Sequence, residues 1–174
     1  MQHILEKAEK IQIVIFDVDG VLTDGRLYVT DQGTELKAFY SRDGLGMRML
    51  QQSGVDIAVI TGRTSDTVKH RMTEMRIRHV YQGQHNKLPA LDNLIDETGV
   101  TADAIAYLGD DIVDLPVMRR VGLAVAVADA HEDVKLYADW QTPNNGGFGA
   151  ARDLCELIMK AQNTWERVKD YYSF

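Results

Sequence analysis

A single cysteine, no block of basic residues and no long apolar run mark this chain of 174 residues. Each absence removes a class of protein. Cys155 alone makes no internal disulfide and belongs to no zinc-ligand pattern; on an apolar, helix-like stretch it reads as a small core residue. A net charge of -7 without a block of consecutive basic residues argues against nucleic acid and anionic membrane as partners. No segment approaches the ~20 apolar residues that span a bilayer. The amino terminus, Met1 to Lys7, lacks the uninterrupted apolar core of a secretory signal. The expectation is a soluble cytoplasmic protein.

What is present is 45% hydrophobic composition, enough at this length to bury the core of one domain over residues 1–174. No repeat, low-complexity tract or linker divides it. Apolar runs at 11–17, 55–61, 77–81, 104–108 and 123–127 read as strands, with a last short strand at 138–141. Helical spacing fills the intervals: after Asp43 (a candidate N-cap), up to about Met75, over 86–97, 112–120 and 131–136, and over about 150–170. This alternation specifies a doubly wound, mainly parallel α/β sheet. Residues 25–40 break the rhythm. There Arg26–Val29 and Glu35–Tyr40 flank the turn-like Thr30-Asp31-Gln32-Gly33, a β-hairpin signal. A lone two-stranded ribbon is marginal in water, so it needs cover from its own domain or another subunit.

The functional signal lies at the strand ends. Asp17-Val18-Asp19-Gly20 follows the apolar run Ile11–Phe16, and strand alternation puts Asp17 and Asp19 on one face. Two carboxylates so placed repel unless a cation or proton lies between them. An Asp-Gly turn closing a strand is the bland alternative. Three other segments argue against it. Val59–Ile60 runs into Thr61-Gly62-Arg63, and Ala104–Leu108 into Gly109-Asp110-Asp111 with Asp114 behind. Lys87 stands at the start of a helix. A strand-end hydroxyl is usually a turn residue, and a lone lysine is usually a solvated charge. In an open α/β sheet, however, ligands bind beyond the carboxyl ends of the strands, and there these groups would converge.

Carboxylates with oxygen-only surroundings select a hard cation, Mg²⁺ foremost. The inventory suits phosphoryl transfer: Asp17 as nucleophile, Asp19 as proton shuttle, Thr61 as a donor to a phosphoryl oxygen, and Lys87 with Mg²⁺ to balance charge.

Together the four segments resemble the haloacid dehalogenase superfamily of phosphatases. Asp17-Val18-Asp19-Gly20 corresponds to its first motif, Thr61 to its second, Lys87 to its third and Gly109–Asp114 to its fourth. The resemblance implies a Rossmann-like core without a cap domain. It also implies Mg²⁺ held by the Asp17 side chain, the Asp19 backbone carbonyl and Asp110, with Asp111 supporting the metal shell and Asp114 a further ligand candidate. Phe16–Gly25, Asp43–Gly46, Ile60–Arg63, Tyr81–Gly83, Asn86-Lys87 and Val125–His131 are similar to the capless branch whose members hydrolyse 3-deoxy-D-manno-octulosonate 8-phosphate on the route to lipopolysaccharide. That branch implies a homotetramer built through the 25–40 hairpin, a neighbour's tail closing the site, and Gly62, Arg63 and Arg71 at the sugar acid. Guanidinium forks suit a carboxylate. One departure stands out: the branch commonly carries an arginine in the tail's glycine loop, where this chain has Gly146-Gly147-Phe148-Gly149. The tail then only covers the site, or Arg152 substitutes, or the substrate differs.

Rival readings are a phosphatase of a nine-carbon sugar acid 9-phosphate, a phospho-receiver domain, and a catalytically silent scaffold. A receiver carries its phosphorylated Asp on a middle strand, with the acid pair earlier.

Overall fold

The computed structural model describes residues 1–172; the last two residues of the expected 1–174 domain lie outside the described residues. Six parallel strands form the main sheet: β1 (Ile13–Phe16), β4 (Asp56–Ile60), β5 (His79–Tyr81), β6 (Ile105–Gly109), β7 (Leu123–Ala126) and β8 (Trp140–Gln141). Their order across the sheet is β5-β4-β1-β6-β7-β8. β1 and β6 are buried along their whole length, as continuous apolar runs in a doubly covered parallel sheet must be. Counting sheet strands alone, the order is 3-2-1-4-5-6, the dinucleotide-fold type and not the 2-1-3-4-5 order of receiver domains. The receiver reading fails on topology.

Helices cover both faces. α1 (Gln2–Ala8), α2 (Ser41–Ser53), α7 (Ala150–Ala161) and α8 (Trp165–Asp170) pack with one another on one face. α4 (Leu88–Thr98) and α5 (Leu115–Met118) pack together on the other, as right-handed crossovers on returning past β1 require. α3 (Asp66–Glu74) follows β4, and α6 (Glu132–Tyr137) joins β7 to β8. α7 presents Leu154, Cys155, Ile158 and Met159 to the core, so Cys155 is the buried residue expected of it.

Local differences from the sequence reading have physical causes. The hairpin pairs only β2 (Tyr28–Val29) with β3 (Glu35–Leu36), a two-stranded sheet apart from the main one. The expected 112–120 helix is a 3₁₀ turn over Ile112–Asp114 followed by α5, with Pro116 in the first turn of α5. The long carboxyl-terminal helix breaks at Asn163, which adopts φ 56, a left-handed state that Asn tolerates. Next to the break, Gln162 Nε2 donates to the Ile11 carbonyl at 2.7 Å. Asp43 does not cap the helix that it was expected to begin, because that helix starts at Ser41. Its carboxylate reaches α7 instead and accepts from the N–H groups of Arg152 (2.8 Å) and Gly149 (3.3 Å).

The fold sets the site. The chain moves from β1 to β4 and β5 on one side, then returns to β6 on the other, so the topological switch lies at β1. Phe16 is level with Val59 on β4 and Leu108 on β6. The residues just beyond these three strand ends (Asp17, Thr61 and Asp110) therefore emerge side by side.

Candidate active site

After β1 the backbone turns sharply. The Val18 carbonyl collects the N–H groups of Val21, Leu22 and Thr23, and the buried Thr23 hydroxyl also donates to it at 3.3 Å. Gly20 takes φ +90, and a Cβ there would stand 2.6 Å from the Asp110 carboxyl carbon. Glycine is what lets the two acidic loops touch. The glycine loop 144–149 packs behind this turn: Gly147 N–H donates to the Val21 carbonyl at 2.8 Å, and a Cβ on Gly146 would lie 2.6 Å from the Gly20 carbonyl carbon.

Beneath the carboxylates Lys87, itself buried, is fixed by three groups. Nζ donates to Asp114 Oδ1 at 2.7 Å and to the Tyr107 hydroxyl at 3.0 Å. It also lies 3.0 Å from Asp17 Oδ1. That last contact is an ion pair without hydrogen-bond alignment, since Asp17 Oδ1 is buried with no hydrogen-bond partner. Tyr107 donates to Asp114 Oδ1 at 2.6 Å, and Asp114 Oδ2 accepts the N–H groups of Asp110 (2.9 Å) and Asp111 (3.2 Å). Asp114 thus ties the lysine to the loop after β6. Burial works against the Lys87 charge, but Asp17 and Asp114 outweigh it and raise its pKa.

The acids carry more negative charge than Lys87 balances. Burial, chiefly, pushes Asp17 up to about 6, with Lys87 pulling the other way and Asp114 adding to the rise. Burial and the charges of Asp114 and Asp17 push Asp110 up to about 8. Oxygens of Asp17, Asp110 and Asp114 all lie within 4.8 Å of one another, and no other group of His, Cys, Asp or Glu with that arrangement occurs among the described residues. A buried carboxylate oxygen that accepts no hydrogen bond, inside an all-oxygen donor set, fits a hard divalent cation.

The remaining candidates divide. Asp19 pairs with Lys37 of the hairpin and, at 3.9 Å, with Arg63 Nε. Thr61 is buried, its N–H on the Tyr81 carbonyl, and its hydroxyl is uncommitted among the described residues. A Cβ on Gly62 would meet only the Gln84 carbonyl, at the 3.9 Å of ordinary contact. Arg63 is held by Glu35 Oε2 at 2.5 Å. Arg71 turns aside: it pairs with Glu74 at 2.8 Å, presses on Gly44 and sits 5.9 Å from the Phe39 ring. Among the described residues it makes no ion pair with the carboxylate cluster. Asp111 caps the 3₁₀ turn, accepting from Ile112 N–H at 2.7 Å. Arg152 does not replace the missing loop arginine, because it pairs with Glu156 at 2.7 Å and packs on Trp165. Phe148 is 58% exposed.

Sequence reading missed Tyr107, Glu35 and Lys37. Tyr107 sits in an apolar strand, where a lone phenol among Ile, Ala and Leu signals a hydrogen-bond partner inside the core. The two hairpin charges carried no such signal.

Fold and site together define a hydrolase of the doubly wound α/β class whose carboxylate cluster suits a magnesium-type cation. Residues 72–152 match the haloacid dehalogenase-like hydrolase family. The chain is 46% identical to a 3-deoxy-D-manno-octulosonate 8-phosphate phosphatase of Salmonella typhi, over 96% of this chain and 89% of that one. The crystal structure of the enzyme of that name from Moraxella catarrhalis, in complex with magnesium ion, phosphate ion and KDO, superposes with a TM-score of 0.97 at 42% identity, covering 99% of each chain. The one from Yersinia pestis gives 0.93 at 45%, covering 94% and 89%. This chain belongs to the 3-deoxy-D-manno-octulosonate 8-phosphate phosphatase family of the haloacid dehalogenase superfamily.

Proposed function

We propose that this protein is a Mg²⁺-dependent phosphomonoesterase that hydrolyses 3-deoxy-D-manno-octulosonate 8-phosphate to the free sugar acid and phosphate. The observation that carries the reading is the buried Asp17 carboxylate, set beside Lys87 and within reach of Asp110 and Asp114. Its carboxylate oxygen attacks phosphorus, the bond from phosphorus to the sugar oxygen breaks, and the Asp19 carboxyl gives its proton to that oxygen. Water then attacks the aspartyl-phosphate and leaves its proton on Asp19, and cleavage of the bond from phosphorus to Asp17 restores the carboxylate. Bound Mg²⁺ neutralises the carboxylates and a phosphoryl oxygen, which lets an anionic nucleophile approach a phosphate dianion.

Asp17, Asp110 and the Asp19 carbonyl, which accepts no hydrogen bond among the described residues, would hold the ion, with Asp111 supporting them and Asp114 nearest as a further ligand. Thr61 donates to a phosphoryl oxygen, Lys87 keeps its charge opposite the transferring group, and Gly62 and Arg63 line the sugar-acid end, which Arg71 would join only by leaving Glu74. The same reading makes the enzyme cytoplasmic, on the route to lipopolysaccharide. It also makes it a homotetramer, since Leu27, Val29 and Leu36 of the hairpin stand exposed for a second copy to cover.

Phosphate release from the eight- and nine-carbon sugar acid phosphates, with Mg²⁺ and with a chelator, tests the activity. The expected result is metal-dependent turnover of the eight-carbon ester, acid-stable trapping of a phosphoprotein, and neither in Asp17→Asn. Turnover by Asp17→Asn equal to the parent would refute the mechanism. Sedimentation of Leu36→Glu tests the assembly, which should fall apart.

A further inference from the structure

Four alternating charges close a ring above the catalytic loop. Lys37 pairs with Asp19 Oδ1 and lies 2.6 Å from Glu35 Oε1. Glu35 Oε2 lies 2.5 Å from an Arg63 terminal nitrogen, and Arg63 Nε returns to Asp19 Oδ2 at 3.9 Å. Two of the four come from the hairpin and two from the motifs that end β1 and β4. Only 1% of the Lys37 side chain is exposed, although the ribbon that carries it is otherwise open to solvent. A lysine on a free ribbon would normally extend its ammonium into water. Burying a cation between carboxylates is poor value for stability, because desolvation cancels most of the attraction. Its placement calls for another reason. Glu35 is equally committed: Lys37 and then Arg63 hold its carboxyl below the usual carboxylate range.

We propose that the hairpin is a working part of the active site, with Lys37 a positioning residue for the Asp19 carboxyl and Glu35 a positioning residue for the Arg63 guanidinium. The proposal rests on the phosphatase reading above. Lys37 donates to Asp19 Oδ1 whether or not the carboxyl carries a proton, so rotation about the last side-chain bond is blocked. Oδ2 remains the oxygen that exchanges a proton with the leaving group. Glu35 fixes Arg63 through a terminal nitrogen and keeps the rest of the guanidinium edge for the sugar acid.

Leaving-group dependence is the readout that a merely structural role would not move. An alkoxide leaving from the sugar needs the Asp19 proton as its bond to phosphorus breaks, whereas 4-nitrophenolate leaves without one. The ratio kcat/KM, which reports transfer to Asp17, is measured for both esters with the full-length Mg²⁺-loaded protein and with Lys37→Met, Lys37→Arg and Glu35→Gln. Thermal melting and sedimentation confirm the folded assembly. Lys37→Met should lose about a hundredfold on the sugar phosphate but less than about threefold on the aryl ester, in line with the loss of general-acid assistance alone. Lys37→Arg keeps the charge in a displaced geometry and should give a smaller loss with the same bias; it supplies the comparison if the neutral variant does not fold. Glu35→Gln should raise KM for the sugar acid phosphate by a larger factor than it changes KM for the aryl ester.

Equal losses on both esters, or none, would overturn the role of Lys37. An unchanged KM in Glu35→Gln would overturn that of Glu35. A parent protein inactive on both esters would sink the phosphatase reading itself, a distinct outcome.

Discussion

The Asp110 carboxylate lies so close over Gly20 that a Cβ on the glycine would stand 2.6 Å from its carboxyl carbon. Two loops, one after β1 and one after β6, are brought within metal-sharing distance by the absence of a side chain. Gly20→Ala must move Asp110 and also abandon φ +90. The expected variant is folded but binds Mg²⁺ about 10–100-fold more weakly, the range found when the supports of metal ligands are disturbed. Calorimetric titration with Mg²⁺ checks it; an unchanged affinity would show that Asp110 does not need this contact.

Lys87 is surrounded by anions, and its removal should cost more than its charge. Lys87→Met leaves Asp114, fully buried, and Asp17 facing each other without a cation. Breaking one partner of a buried pair typically destabilises by about 3–5 kcal/mol. Adding Asp114→Asn to Lys87→Met should recover part of that loss, because the pair is then gone from both sides. Urea denaturation of the two single variants and the double variant measures the coupling, and strictly additive effects would contradict it. Activity should be lost in all three.

Much of this site was legible before any coordinates. Asp17, Thr61 and Asp110 each follow an apolar run, and a parallel sheet has only one end at which such residues can meet. Strand order was not legible in this way, since right-handed crossovers leave few arrangements but do not choose among them. Side-chain commitments were not legible. Asp43 looks like the cap of the helix that it enters, yet its partner lies 109 positions away, and nothing local encodes that pairing. Arg71 is a guanidinium at the expected spacing, but Glu74, one turn along the same helix, and Phe39 claim it. Lys37 and Glu35 read as ordinary charges on an exposed ribbon, because burial against a distant loop leaves no mark on neighbouring residues.

Without metal, the carboxylate cluster should make the protein less stable as pH rises. Asp17 at about 6 and Asp110 at about 8 both lie above the ordinary 3.8, so the folded chain binds more protons than the unfolded one. The stability that they contribute is fully present below pH 3.8 and is lost as pH climbs through 6 and then 8. Between pH 6 and 8 the slope is on the order of 1 kcal/mol per unit for a single proton. Melting in chelator should therefore fall across that window, and saturating Mg²⁺ should flatten the dependence because the ion takes the place of the protons. Asp110→Asn in chelator should lose most of the slope. A parent protein whose melting in chelator rises with pH would contradict the assignment.

Asp43 joins α2 to the start of α7, and its carboxylate is held at about 6 by burial, which the N–H groups of Arg152 and Gly149 only partly offset. By the same linkage its contribution is lost as pH rises through 6, so at neutral pH the cap carries a buried charge at some cost. Asp43→Asn keeps an oxygen for Arg152 N–H and discards that charge, so its stability at pH 8 should stay within about 0.5 kcal/mol of the parent. Asp43→Ala leaves both N–H groups unpaired inside the protein and should cost about 1–3 kcal/mol. The effect should reach the active site, because α7 begins where the 144–149 loop ends, and that loop bonds the Val21 carbonyl behind the catalytic turn. Phosphatase activity and melting of the two variants, compared at pH 8, separate the cap from the charge: the alanine variant should fall in both, and the asparagine variant in neither.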